Sequence, residues 1–129
     1  MDLEVKHIPE KGRGVFALRD FSAGETIEIC PVVVIPNKDC QLLDKSKISY
    51  YYFEWGENEG SLALGFGSLY NHSYKPNAEY DHDEPRFCII FKALKDIKKG
   101  EEITVNYNAY PDALDEISFQ DGSKPSLHI

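Results

Sequence analysis

The chain has no apolar run approaching the ~20 residues that a membrane-spanning helix needs. Its opening segment, MDLEVKHIPEKGRG, lacks the basic-then-apolar pattern of a secretory leader. Cysteine is scarce. Cys30, Cys40 and Cys88 lie far apart with no CxxC pair, which argues against both a disulfide framework and a zinc site. Basic charge is also short: 14 Lys and Arg against 22 Asp and Glu leave a formal net charge of −8. That balance repels a phosphate backbone. Together these absences predict a soluble intracellular chain with reduced thiols, no membrane segment, no bound metal and no direct contact with nucleic acid. The acidity suits a basic peptide or protein partner, although solubility alone would also account for it.

What is present reads as an ordered single domain. Hydrophobic residues make up 42% and charged residues 28% of 129, an ordinary globular balance that excludes disorder as the default. Short β-type runs alternate with turn residues, so the expected fold class is mostly β. Thr26–Ile35 is rich in β-branched residues but contains Pro31, which donates no backbone hydrogen bond; two strands, or one with an edge or bulge there, are expected. Tyr50–Trp55, Glu79–His82 and Arg86–Leu94 read as strands. Val15–Leu18 follows a predicted turn at Lys11–Gly14, and further turns are expected at Glu57–Gly60, Tyr74–Asn77 and Lys98–Glu101. Glu102–Tyr107 alternates Ile103, Val105 and Tyr107 against polar neighbours with a clean period of two. Short helices are expected at Gln41–Lys45 and Asp112–Phe119. The domain core is expected over about Lys6 to Tyr110, with residues 111–129 as a C-terminal tail.

Three segments carry candidate chemistry, and each alone also admits a plainer reading. Lys11-Gly12-Arg13-Gly14 lets a ligand approach the backbone closely, or is simply the tip of a hairpin. Asn71-His72, within Leu64–Asn77, brings amide and imidazole donors and acceptors that can hold a small polar molecule, or makes only local turn bonds. Gly100–Asn108 is equally a half-buried strand ending in a tyrosine.

Together, GRGVFA, then NHSxxPN, then GEEITVNY, in this order and spacing, resemble the SET-domain lysine methyltransferases, and especially the short free-standing viral and bacterial members. The resemblance implies a β-clip fold of small curved sheets whose C-terminal segment is threaded into a pseudoknot. It implies S-adenosyl-L-methionine as cofactor and the ε-amine of a lysine in a basic protein, histone-like or ribosomal, as acceptor, with a role in chromatin if the target is a histone. By the same resemblance, Tyr107 and Tyr52 are expected at the methyl-transfer centre. Lys11, Gly12, Arg13, Gly14, Asn71, His72 and Tyr110 are expected around the cofactor, Tyr80 and Tyr51 along the substrate lysine, and backbone carbonyls near Ser68 and Tyr70 along the methyl path. Tyr74 stands where many members carry a cysteine, and no cysteine follows Cys88, so a C-terminal zinc cluster is not expected. Residues 108–129, or a second subunit in a homodimer, would then close the lysine channel. The alternative reading is a catalytically inactive SET-like module that binds peptide or cofactor.

Overall fold

The structure is a computed structural model that describes residues 1–10 and 12–114. In chain order its strands are β1 (Leu3–Ile8), β2 (Gly12–Ala17), β3 (Thr26–Ile35), β4 (Phe53–Trp55), β5 (Glu59–Ala63), β6 (Asn71–His72), β7 (Ala78–Asp83), β8 (Cys88–Ala93) and β9 (Glu102–Val105). One α-helix, α1 (Asn37–Leu43), and 3-10 turns at Lys47–Tyr50 and Glu84–Arg86 complete the described elements. The strands form two sheets, ordered β1-β2-β9-β6 and β4-β5-β3-β8-β7. This is the mostly β class expected from the residues, with the small curved sheets that the SET-domain resemblance implies.

The two sheets share one core. Val15 of β2 and Ile103 and Val105 of β9 meet Cys30 of β3, Trp55 of β4 and Ile89 and Phe91 of β8. The period of two in β9 explains its share: Ile103 and Val105 point inward and are buried, while Glu102 and Thr104 lie between. Phe91 is fully buried, stacks on Tyr70 at 4.4 Å and meets Phe53 edge-on at 6.4 Å. Burying a side chain of that size stabilises the fold by about 1.5–3 kcal/mol.

Several boundaries differ from the sequence reading. The first hairpin turns at Pro9-Glu10, not at Lys11–Gly14: β1 pairs β2 in unbroken register from Leu3 opposite Ala17 to Ile8 opposite Gly12. Gly12 has a φ of 91°, a backbone conformation that favours glycine at the start of β2. The expected break at Pro31 is instead a change of partner within one continuous strand. β3 pairs β8 from Thr26 to Pro31 and β5 from Val32 to Ile35, and its irregularity lies between Thr26 and Glu28. The missing proline donor therefore falls where the ladder moves from one side of β3 to the other.

The expected strand Tyr50–Trp55 is a strand only over Phe53–Trp55. Tyr50 closes a 3-10 turn capped by the Ser46 side chain, and Tyr51 and Tyr52 form the link. Glu59 and Gly60, expected in a turn, belong to β5. The helix expected at Gln41–Lys45 starts earlier, at Asn37, directly after Pro36. Residues 112–114, the described part of the expected Asp112–Phe119 helix, are not helical; residues 115–129 lie outside the described residues.

Candidate active site

The site begins with β6, which contributes only Asn71 and His72. They pair in parallel with Thr104 and Val105 of β9, and the Ser73 amide donates to the Val105 carbonyl at 2.9 Å. Asn77 then completes the hold. Its side-chain amide donates to the Glu102 carbonyl at 2.8 Å, and its side-chain oxygen accepts from the Thr104 amide at 2.9 Å. One side chain thus takes both bonding groups of β9 as a peptide unit of a neighbouring strand would. With β2 also paired to β9 at Val15 and Phe16, the strand is threaded between segments distant in sequence.

Asn71 ties this knot to the glycine-containing strand. It is 6% exposed, and its Nδ2 donates to the Arg13 carbonyl and to the Glu102 carboxylate, both at 2.8 Å. A Cβ on Gly14 would lie 2.5 Å from Glu102 Oε2, 2.7 Å from Ile8 Cδ1 and 3.0 Å from Asn71 Nδ2. Glycine at 14 is therefore what lets β2 approach the Asn71–Glu102 pair. Both amide protons of Asn71 are used within the chain, which leaves its side-chain carbonyl for other contacts.

His72 faces the residue that follows the threaded strand. Its Nδ1 accepts from the Tyr107 backbone amide at 3.1 Å. The ring therefore carries its proton on Nε2, which is buried and has no partner among the described residues. Burial holds the imidazole below its usual pKa. The Nε of Arg13 is likewise buried and unpartnered.

Tyr107 is half-buried in the cluster. Its hydroxyl donates to the Tyr70 carbonyl at 2.6 Å, and its own carbonyl accepts from the Tyr80 hydroxyl at 3.3 Å. Burial pushes the Tyr107 phenol well above its usual pKa; the neighbouring Tyr80, Glu102 and Tyr51 push the same way. Tyr80 is pushed up to about 12, chiefly by burial and then by Glu54. Tyr51 is raised by burial, with Arg13 opposing. All three phenols are therefore neutral at physiological pH.

Of the residues expected at the site, the structure brings Arg13, Gly14, Asn71, His72, Tyr107, Tyr80 and Tyr51 into this neighbourhood. Gly12 stands at the start of the same strand. Tyr52 is elsewhere: its hydroxyl donates to the Asp44 carboxylate beyond α1, and its ring packs against Gly60. Tyr110 is 71% exposed on the surface. Lys11 lies outside the described residues. Sequence reasoning missed Glu102, Asn77, Glu28 and the side chain of Tyr70. A signal existed for Glu28, a lone carboxylate between Ile27 and Ile29 in an otherwise apolar strand. Among the described residues no group of three or more His, Cys, Asp or Glu side chains could hold a metal.

Fold and site together define a small, mostly β protein built around a half-buried tyrosine cluster. The SET domain family model matches residues 12–108, and the chain belongs to that family. Among curated proteins it is similar to a histone-lysine N-methyltransferase, H3 lysine-37 specific, of Schizosaccharomyces pombe. The two are 32% identical over 128 residues, which is 98% of this chain and 83% of that protein. It is also 32% identical over 113 residues to the protein-lysine N-trimethyltransferase SMYD5 of Mus musculus, covering 77% of this chain but only 27% of that larger protein. Among solved structures, a Plasmodium falciparum protein assigned as a histone methyltransferase superposes with a TM-score of 0.67 at 33% identity, covering 82% of this chain and 92% of that one.

Proposed function

We propose that this chain transfers a methyl group from S-adenosylmethionine to the ε-amine of a lysine in a basic protein, with a histone tail as the foremost candidate. The observation that carries this reading is how the phenols are committed. The Tyr107 hydroxyl donates to the Tyr70 carbonyl, and the Tyr80 hydroxyl donates to the Tyr107 carbonyl. With their protons used on backbone carbonyls, both oxygens offer lone pairs, which suit the N–H donors of an amine. Tyr51 and the ring of Tyr80 supply the aromatic walls along which a lysine stem packs.

The polar groups fit the cofactor. The buried donors Arg13 Nε and His72 Nε2 have no acceptor among the described residues, and a ligand that brings a carboxylate and other acceptors satisfies such donors. Arg13, Gly14, Asn71 and His72 would hold it. When bound, S-adenosylmethionine supplies an electrophilic methyl group on a sulfonium centre.

The protein's part is to deliver a neutral amine in the right place. Free lysine has a pKa near ~10.4, and enclosure among Tyr51, Tyr80 and Tyr107 disfavours its ammonium form. The phenols remain protonated and so cannot take up the lysine proton, which leaves to water. Tyr107 then orients the amine lone pair, and alignment supplies the larger share of the rate. Carboxylates around the Tyr80 strand, Glu54, Glu79, Asp81 and Asp83, favour a basic segment on either side of the target lysine. The free cysteines, all buried, fit an intracellular location, and no helix among the described residues is long and apolar enough to cross a membrane.

The test pairs calorimetry of S-adenosylmethionine binding with methyl-labelled cofactor offered alongside core histones and ribosomal proteins. Binding with label on a basic protein is the expected result. Binding without label on any substrate would favour a module that holds ligand without turnover, and absence of binding would sink the cofactor assignment.

A further inference from the structure

One half-buried acidic group beneath the site has no part in the chemistry described so far. Glu28 lies in β3 between Ile27 and Ile29, and none of the ion pairs among the described residues involves it. A carboxylate in such a place is costly unless its oxygens are used. Both are used, and both serve the same loop. Oε1 accepts from the Tyr70 hydroxyl at 2.7 Å, and Oε2 accepts from the Phe66 amide at 3.0 Å. Gly65, with a φ of 65°, makes room for this arrangement; a Cβ there would lie 2.4 Å from Glu28 Oε2.

Tyr70 connects this carboxylate to the site. Its side chain is 1% exposed, clamped between Glu28 at the hydroxyl and the face of Phe91 at 4.4 Å. At its other end, the Tyr70 carbonyl accepts the Tyr107 hydroxyl at 2.6 Å. We infer that Glu28 is a positioning residue: by fixing both the start and the end of the 66–70 loop, it sets the Tyr70 carbonyl and hence the direction of the Tyr107 hydroxyl. A carboxylate suits this task because two donors need two acceptor oxygens. Glutamine offers one oxygen, so either the Phe66 amide loses its acceptor or the Tyr70 hydroxyl must turn to accept from the NH2, and both outcomes disturb the loop.

The inference rests on the reading of Tyr107 as the transfer-site tyrosine, so its test includes a readout that needs no turnover. Wild type, Glu28→Gln, Tyr70→Phe and the double variant are compared by solvent exchange of the Tyr107 hydroxyl proton, observed by NMR with labelled tyrosine, and by kcat and KM. Exchange should quicken roughly tenfold in each single variant, the scale of one lost hydrogen bond, and no further in the double variant, because both changes cut the same path. The kcat should fall roughly 10- to 100-fold, with KM for S-adenosylmethionine within about twofold of wild type. Hydroxyl exchange unchanged in the single variants, even with a lowered Tm, would overturn the inference, and so would effects that multiply in the double. If Glu28→Gln does not fold, Tyr70→Phe decides alone by the same readout. If the wild type transfers no methyl, the proposed activity fails, while the exchange rates still decide what Glu28 does.

Discussion

Tyr107 and Tyr52 each donate a hydroxyl proton to a protein oxygen, but in different surroundings. At the knot between β6 and β9, Tyr107 donates to a backbone carbonyl among buried rings. Beside α1, Tyr52 donates to the exposed carboxylate of Asp44. Both phenols have a raised pKa, but for different reasons. Burial leads at Tyr107, whereas the hydrogen bond to Asp44 leads at Tyr52. A backbone carbonyl in a packed interior cannot wander, so it fixes where the Tyr107 oxygen lies. A solvated carboxylate on a flexible stem fixes little and is screened by water. The contrast separates a tyrosine whose oxygen is held in a packed interior from one fastened at the surface.

Removing each hydroxyl in turn puts that contrast at risk. In Tyr107→Phe, methyl transfer should fall roughly 10²- to 10³-fold, the scale of losing one oriented polar group at a reacting centre. Stability should fall by only about 1–3 kcal/mol for the Tyr70 carbonyl left unpaired. Steady-state kinetics with thermal melting would check both, and unchanged activity would remove Tyr107 from the site. Gly14→Ala tests the other side of the knot. The added methyl must displace Glu102 or Ile8, so a loss of about 1–3 kcal/mol in denaturant unfolding is expected. Weakened binding of S-adenosylmethionine should accompany it, because Asn71 and Arg13 shift together.

Acidification should act on the knot more gently. His72 is held neutral by burial and accepts from the Tyr107 amide. Its folded pKa lies below the ordinary value near ~6.5, so the unfolded chain binds the proton more readily. This contribution leaves stability untouched above that pH and lowers it progressively as pH falls below. Melting curves from about pH 7.5 to 5, spanning the ordinary histidine range, would reveal a decline that His72→Gln lessens; the same decline in that variant would assign it to other groups. Tyr52→Phe should matter least, leaving kcat within about twofold of wild type and costing less than about 1 kcal/mol. A large loss of turnover there, with Tyr51→Phe active, would reverse the assignment of the two neighbours.

Much of the knot is legible in the sequence. The period of two in Glu102–Tyr107 pointed to β9 and its inward Ile103 and Val105. The SET-domain resemblance puts Asn71 and His72 around the cofactor and Tyr107 at the transfer centre, and the His72 to Tyr107 bond joins the two. The tyrosine run was less legible. Tyr50, Tyr51 and Tyr52 look alike in sequence, and which one turns inward depends on a 3-10 turn ending at Tyr50, a feature that strand propensity does not register. The partner change at Pro31 was hidden because a missing donor marks an interruption without saying whether the strand ends or its neighbours do. Glu28, Asn77 and Glu102 act through partners 25 to 42 residues away, and such pairings follow from topology, not from local pattern.

Everything proposed for the site depends on the Tyr107 cluster placing a lysine amine against the methyl donor. A single turnover examines that step in isolation: equimolar protein, methyl-labelled S-adenosylmethionine and a basic protein substrate, followed by acid hydrolysis and identification of the labelled amino acid. The wild type should yield ε-N-methyl-lysine, and Tyr107→Phe almost none. Label on another amino acid, or equal methyl-lysine from both proteins, would refute the placement.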